Sequence, residues 1–312
     1  MIRDAPLAAV RPWRGAIFAL ASSACFGGAA PASKLLLAKI DPFLMAGLLY
    51  AGAGIGLSAL WLARELGAPG LPRGPRLSGR AWWWFLGATM CGGGLGPVLL
   101  MLGLARTPAS TGSLLLNLEA VLTVLIAGAF FRERILGLVG LGIAAVIAGG
   151  VILAWQGEFM LGGPLGPLAV AGACFAWALD NNMVRQIAHH DPVQIAALRG
   201  LCAGALVIAL AFLIGASGVD PWLMVSAGAL GLFGYGLPLV FFVMALRDLG
   251  TARTGAMFAT APFVGAIVSI LALGDPVTLQ LGIAGICMVL GVWLMLAGQR
   301  RSEAAPAGEG TA

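Results

Sequence analysis

Apolar stretches of about twenty residues recur along almost the entire chain, and no other sequence feature limits the fold as strongly. The hydrocarbon core of a bilayer is crossed by a helix of about 20 mostly apolar residues. Stretches of that kind lie at 15–37, 42–63, 81–104, 109–131, 135–155, 164–185, 192–214, 221–246, 254–273 and 277–297. No period-two alternation runs through them, which predicts helices and disfavours a β-barrel. Turn chemistry separates the stretches at Asp41-Pro42, Arg106-Thr107-Pro108, Gly162-Gly163-Pro164, Asp191-Pro192, Asp220-Pro221 and Asp275-Pro276. The longest polar interruption is 64–80, which carries Pro69, Pro72 and Pro75. The first stretch is long, holds Lys34 and leads straight into another span, so it reads as a span and not as a cleaved signal peptide.

Composition removes the soluble alternative. Only 10% of the residues are charged and 60% are hydrophobic, whereas a soluble domain carries roughly a quarter charged residues to cover its surface. A chain of this length cannot bury that much apolar surface within itself, so lipid must cover the remainder. The 47 glycines suit close helix packing in lipid. Cys25, Cys91, Cys174, Cys202 and Cys287 all lie inside apolar stretches without metal-ligand or CxxC spacing, and they read as small buried hydrophobes. The net charge of +5 reports topology and not a nucleic-acid partner, because most basic residues fall between spans.

Those basic residues are distributed unevenly. Arg3, Arg11, Arg14, Arg64, Arg73, Arg76, Arg80, Arg132, Arg134, Arg185, Arg247, Arg253, Arg300 and Arg301 fall on one side of a ten-span arrangement. Lys34, Lys39 and Arg106 fall on the other. The positive-inside rule then places both termini in the cytoplasm of a multi-pass protein of the plasma (inner) membrane.

The chain also resembles itself. Thr111-Gly112 matches Thr254-Gly255, Ala24-Cys25-Phe26 matches Ala173-Cys174-Phe175, and Asp41-Pro42 matches Asp191-Pro192. Arg132-Glu133 matches Gly274-Asp275, and Pro97 in the third span matches Pro238 in the eighth. Units of five helices must enter the membrane from opposite sides, an arrangement common among secondary transporters. The predicted fold is an all-α polytopic membrane protein of ten transmembrane helices in two inverted five-helix repeats, 14–156 and 164–298. A disordered cytoplasmic tail is expected over 299–312.

Three stretches resemble the drug/metabolite transporter superfamily, and within it the EamA-type ten-helix exporters. They are Asn117-Leu118-Glu119-Ala120-Val121 through Arg132-Glu133 to Gly140, its echo Ala261-Pro262-Phe263 through Asp275 to Gly282, and the duplicated Asp-Pro pair. The resemblance runs over roughly residues 14–298. It implies proton-coupled or facilitated movement of small metabolites, often amino-acid export, through a cavity between the two repeats. It does not imply one substrate, and it implies no cofactor. Pro276 departs from the pattern, since Arg134 follows the corresponding acid of the first repeat.

Glu119 stands near the middle of the fourth span, where a charge costs roughly 2.5–3.5 kcal/mol on insertion scales. It should face the interior and bind a proton or pair with a cation; a structural carboxylate bonded across the repeat interface is the alternative. Asn117 points to a different helical face, with Ser113, while Glu119 shares its stripe with Thr123. Trp177, Asn181 and Arg185 follow at i, i+4 and i+8 and offer an aromatic plate, an amide and a cation. An ordinary cytoplasmic helix end with an interfacial Trp would look the same. Asp180 could pair with Lys34 or with Arg199, and either cation could instead neutralise Glu119 or a substrate carboxylate. For Lys34, at the end of its span, snorkelling to the interface is the default. Tyr50 and Tyr235, both mid-span, want hydrogen-bond partners and are candidates to line a cavity. Pro97 and Pro238, each preceded by a glycine-rich run, are candidate hinges, and equally ordinary close-packing sites.

Enzyme chemistry finds little support. The glycine-rich runs lack the strand and the Lys-Ser/Thr of a phosphate loop, and no HExxH or GxSxG occurs. His189 and His190 lie side by side in a loop and read as solvated residues. An intramembrane lipid-modifying enzyme would need a clustered nucleophile and base, or metal ligands, at membrane depth. The expected activity is therefore secondary transport of a small molecule, with amino-acid export first and efflux of hydrophobic cations second.

Overall fold

The computed structural model describes residues 12–66, 74–131, 137–155 and 164–304. Arg3, Arg11, Arg73, Arg132, Glu133, Arg134, Gly162 and Gly163 lie outside them. Among the described residues there is no strand, and ten helical stretches follow one another. They are α1 (Pro12–Leu37), α2 (Pro42–Glu65), α3 (Ala81–Arg106), α4 (Ala109–Leu115 and Leu118–Phe131) and α5 (Gly137–Ala154). They continue with α6 (Leu165–Arg185), α7 (Pro192–Leu213), α8 (Pro221–Leu249), α9 (Thr251–Phe258 and Ala261–Leu273) and α10 (Leu279–Ala304).

Nine of the ten are long and apolar enough to cross a membrane, and α6 is the exception. Its 21 residues include Asp180, Asn181 and Asn182, which interrupt its apolar run. The helices turn apolar side chains outward, Leu141, Val151, Leu271, Val289 and Trp293 among them, as a surface in contact with acyl chains requires.

Local chemistry sets several helix starts. Asp41 accepts from the N–H groups of Phe43 and Leu44, Asp191 from those of Val193 and Gln194, and Asp220 from that of Trp222. Each cap is followed by Pro, whose fixed φ suits the first helical position and whose missing N–H is not needed there. The duplicated Asp-Pro pairs are thus capping devices.

The same irregularities occur in both halves. α3 loosens into a π-helical segment at Thr89–Leu95, immediately before Gly96-Pro97. α8 does so at Leu232–Gly236, before Leu237-Pro238. α4 breaks at 116–117 and α9 at 259–260. The fourth span is therefore not the continuous helix expected over 109–131. Leu116, Asn117 and Glu119 make tight i→i−3 bonds instead, and the Asn117 side chain donates to the Leu114 carbonyl at 2.8 Å.

Helix pairing is extensive between α2 and α7, between α5 and α10, between α1 and α8, and between α3 and α6. Gly54 and Gly200 bring α2 and α7 so close that a Cβ on either would run into the other's backbone. At one end of this pair Arg64 is buried, 2% exposed, and grips Asp191 through two nitrogens at 3.1 and 2.5 Å. Arg64 is therefore no loop charge, as its place at the start of the 64–80 connection had suggested. The N–H of Asp191 also donates to the Pro75 carbonyl at 2.9 Å, and Leu77 N–H to Gln194 Oε1 at 3.1 Å, so residues 74–77 strap the two helices together.

Further differences from expectation have local causes. α10 continues to Ala304 because Gln299, Arg300 and Arg301 are good helix formers, so the polar tail does not begin its disorder at 299; residues 305–312 lie outside the described set. His190 is buried at 7% exposure, packed against His189 with ring centroids 3.9 Å apart. Of the cysteines only Cys174 is buried, and Cys202 is exposed on the outward side of α7.

Candidate functional site

The first turn of the second α4 segment carries Glu119 to the middle of its span, where it is partly buried. Asn181, on α6, donates to Glu119 Oε1 at 2.9 Å and reaches Thr123 Oγ1 at 3.3 Å. Thr123 lies one turn beyond Glu119 and donates to its backbone carbonyl at 2.8 Å. The stripe shared by Glu119 and Thr123 thus faces the polar part of α6. Asn117 turns away, is 4% exposed, and lies 3.9 Å from the Met288 sulfur of α10.

A second cluster surrounds the π segment of α3. The Gly96 N–H donates to the Cys91 carbonyl five residues back, so the next donor in that register would be residue 97 to Gly92. Pro97 has no N–H, which frees the Gly92 carbonyl from its own helix. Two side chains take its place: Tyr50 Oη donates to it at 2.7 Å and Trp177 Nε1 at 2.9 Å. Glycine is required at 92, because a Cβ there would collide with the Asp180 carboxylate and the Arg199 guanidinium.

Asp180 and Arg199 form an ion pair directly against this segment, with side chains 5% and 18% exposed. A single guanidinium nitrogen meets a single carboxylate oxygen. Asp180 Oδ1 and Arg199 Nε are buried without hydrogen-bond partners. Trp177, at 6% exposure, is an internal residue and not an interfacial one. The face proposed from Trp177, Asn181 and Arg185 is divided: Trp177 serves α3, Asn181 serves α4, and Arg185 is exposed at the helix end.

Tyr235, on the π segment of α8, lies 6.0 Å from the Tyr50 ring and 6.0 Å from Phe26 of α1. Phe26 meets Phe258 at 5.4 Å, and Phe258 meets Phe242 at 5.1 Å. A row of five rings therefore runs from the polar cluster to Phe258 of α9 and Phe242 of α8. Beside it Ser22 donates to the Pro238 carbonyl at 2.7 Å, and Ser23 and Thr260 are 2.8 Å apart.

Lys34 is not part of this cluster. It neither snorkels nor meets Glu119 or Asp180; its ammonium donates to the carbonyls of Leu104 and Thr107 at the end of α3. Among the described residues no group of His, Cys, Asp and Glu is placed to hold a metal ion.

The cluster opens toward one end of the bundle. The first α4 segment packs along the second α9 segment, but the other halves of the same helices, Leu118–Phe131 and Thr251–Phe258, make no comparable contact. Asn181 and Thr260 are exposed at this depth, although both are polar.

Reading the sequence alone places Thr123 on the Glu119 stripe but misses Gly92, Phe26, Ser23 and Thr260 as members of the site. The signal for Gly92 was present: a glycine five residues before a mid-span proline. The others carry no local mark, since phenylalanine and hydroxyl side chains occur throughout such helices.

An apolar exterior and a polar cluster at mid-span define a polytopic membrane protein. Residues 13–155, and again 164–297, match the EamA-like transporter family, and the chain belongs to that family. It is 28% identical over 207 residues to an uncharacterized transporter of Methanothermobacter thermautotrophicus, a match covering 64% of this chain and 60% of that protein. It is 24% identical over 264 residues to an uncharacterized transporter of Synechocystis sp., covering 76% of each. A solved crystal structure shares the fold with a TM-score of 0.63 at 21% identity, over 93% of this chain and 99% of that one.

Proposed function

We propose that the protein moves a small organic metabolite across the plasma (inner) membrane by alternating access, with Glu119 as the coupling or substrate-binding carboxylate. One observation carries this reading: the mid-span Glu119 meets a neutral amide, while the Arg199 guanidinium contacts Asp180. Two carboxylates and one guanidinium leave the cluster one positive charge short when all are ionised. A proton, or a cationic group of the substrate, supplies that charge. An uncompensated carboxylate in a low-dielectric setting exists more readily as the neutral acid.

Ten spans in two inverted halves suit this mechanism. We count α6 as a span because 21 residues reach about 30 Å and its polar side chains are turned onto α3, α4 and α7. Matching π segments before Pro97 and Pro238, and matching breaks in α4 and α9, support paired moving elements. The positive-inside bias puts both termini in the cytoplasm, so the opening beside Asn181 faces the cytoplasm.

Amino-acid export is the first substrate assignment. Efflux of aromatic or hydrophobic cations is the second, favoured by the row from Tyr50 to Phe242, since ring faces attract cations. The deciding experiment is counterflow of labelled amino acids, and separately of a lipophilic cation, in proteoliposomes with and without a pH gradient. Gradient-dependent counterflow of an amino acid supports the first assignment. Movement of the cation alone replaces it with the second, and movement of neither overturns both.

A further inference from the structure

We propose that Lys34 is a positioning residue that latches the face of the bundle remote from the chain termini, holding it closed while the other face is open. The proposal rests on the alternating-access reading above. The last carbonyls of a helix have no donor within it and carry the negative end of its dipole. At the end of α3 those of Leu104 and Thr107 receive the Lys34 ammonium from α1, with 3.1 Å to Thr107. Asp275, just beyond α9, accepts the Ser110 N–H at 2.7 Å and so caps the start of α4. One ammonium and one carboxylate thus join the ends of α1, α3, α4 and α9. Arg106, nearby, donates to the Leu102 carbonyl of its own helix at 3.2 Å and makes no such connection.

Deeper along the same helices the packing is tight. A Cβ on Gly265 of α9 would lie 2.7 Å from the Gly27 carbonyl of α1 and 2.7 Å from Ser113 Oγ of α4. The closed face is therefore a short, closely packed seal beneath a polar latch.

The other face is built differently. Aligning Ala24-Cys25-Phe26 with Ala173-Cys174-Phe175 places Met183 at the position of Lys34. Met183 packs its sulfur against Gly87 of α3 and offers no donor to the carbonyls there. One face closes on a charge and the matching position at the other face carries none, so the two faces are not held closed equally. The empty protein is biased toward the state in which Lys34 is engaged.

The test reads accessibility on each side. Ser113→Cys, beneath the latch, and Asn181→Cys, at the opening, are alkylated with a membrane-impermeant maleimide in sealed vesicles and quantified by mass spectrometry of each peptide. Lys34→Met should raise the labelling rate of Ser113→Cys at least tenfold, and lower that of Asn181→Cys. Lys34→Arg, which keeps a cationic donor, should label like the parent. Equal labelling of Ser113→Cys with and without the Lys34→Met substitution, or equal effects of the Met and Arg substitutions, overturns the latch. If Lys34→Met fails to insert, Lys34→Gln gives the same comparison with a shorter, uncharged donor. Lys39→Cys and Arg76→Cys, both at exposed positions, report which face the reagent meets. A reversal of that pair overturns the orientation reading and leaves the latch to be judged on the opposite face.

Discussion

Asn181 Nδ2 lies 2.9 Å from Glu119 Oε1, so a carboxylate in the middle of the membrane is held by a neutral amide 62 residues away. The Arg199 guanidinium is engaged with Asp180 against Gly92. Among the described residues Glu119 thus has an amide and no guanidinium as its partner, while Asp180 has Arg199.

Replacing Glu119 with Gln keeps the acceptor for Asn181 and fixes the side chain in its neutral form. Stability in detergent should change by no more than about 1 kcal/mol, while transport in proteoliposomes loses its pH dependence or its uptake of a cationic substrate. An unchanged pH profile for Glu119→Gln would make the carboxylate structural.

Asp180 and Arg199 should behave as a coupled pair. Asp180→Asn alone or Arg199→Gln alone leaves a buried charge unpaired, which costs about 3–5 kcal/mol. The double variant should cost clearly less than the sum of the two. Unfolding of all four proteins in detergent closes the cycle, and additive losses would contradict the pairing.

Arg64→Met should lose about 3–5 kcal/mol near neutral pH by stranding Asp191. Burial by itself would raise the Asp191 carboxyl, but Arg64 and the N–H groups of Gln194 and Gly74 outweigh it and hold the group below the usual carboxylate range. A depressed folded-state value means the stabilisation is complete above the ordinary aspartate value of about 4 and fades as pH falls through the lower folded one. The difference in melting temperature between parent and Arg64→Met should therefore shrink below about pH 4. A constant difference would show that Asp191 does not carry the effect.

Pro97→Ala restores an N–H in register with the Gly92 carbonyl, where it competes with Tyr50 and Trp177. A regained helical bond of about 1 kcal/mol would stiffen the bend and slow turnover by about fivefold, with a smaller effect on substrate affinity. Pro238→Ala should act in the same direction from the other half. Weaker binding at unchanged turnover would mean that both prolines only shape the pocket.

The membrane class of the protein follows from local properties that the sequence states directly. The free energy of placing a segment in lipid depends on some twenty neighbouring residues, so spans, their Asp-Pro starts and the lone mid-span glutamate can be located by inspection. Even the π segments leave a trace, as glycines ahead of Pro97 and Pro238. Which charges pair is a different kind of property. Lys34 had Glu119, Asp180 and the interface within reach of the sequence argument, yet it ends on the Leu104 and Thr107 carbonyls. Arg64 read as a loop cation and is buried against Asp191, 127 residues away. Electrostatic and hydrogen-bond energies change steeply over a few ångströms, and those distances are set by how α1, α2, α3, α6 and α7 pack side by side. Hydrophobicity decided that these helices lie in the membrane; only their tertiary packing decided which polar groups meet there.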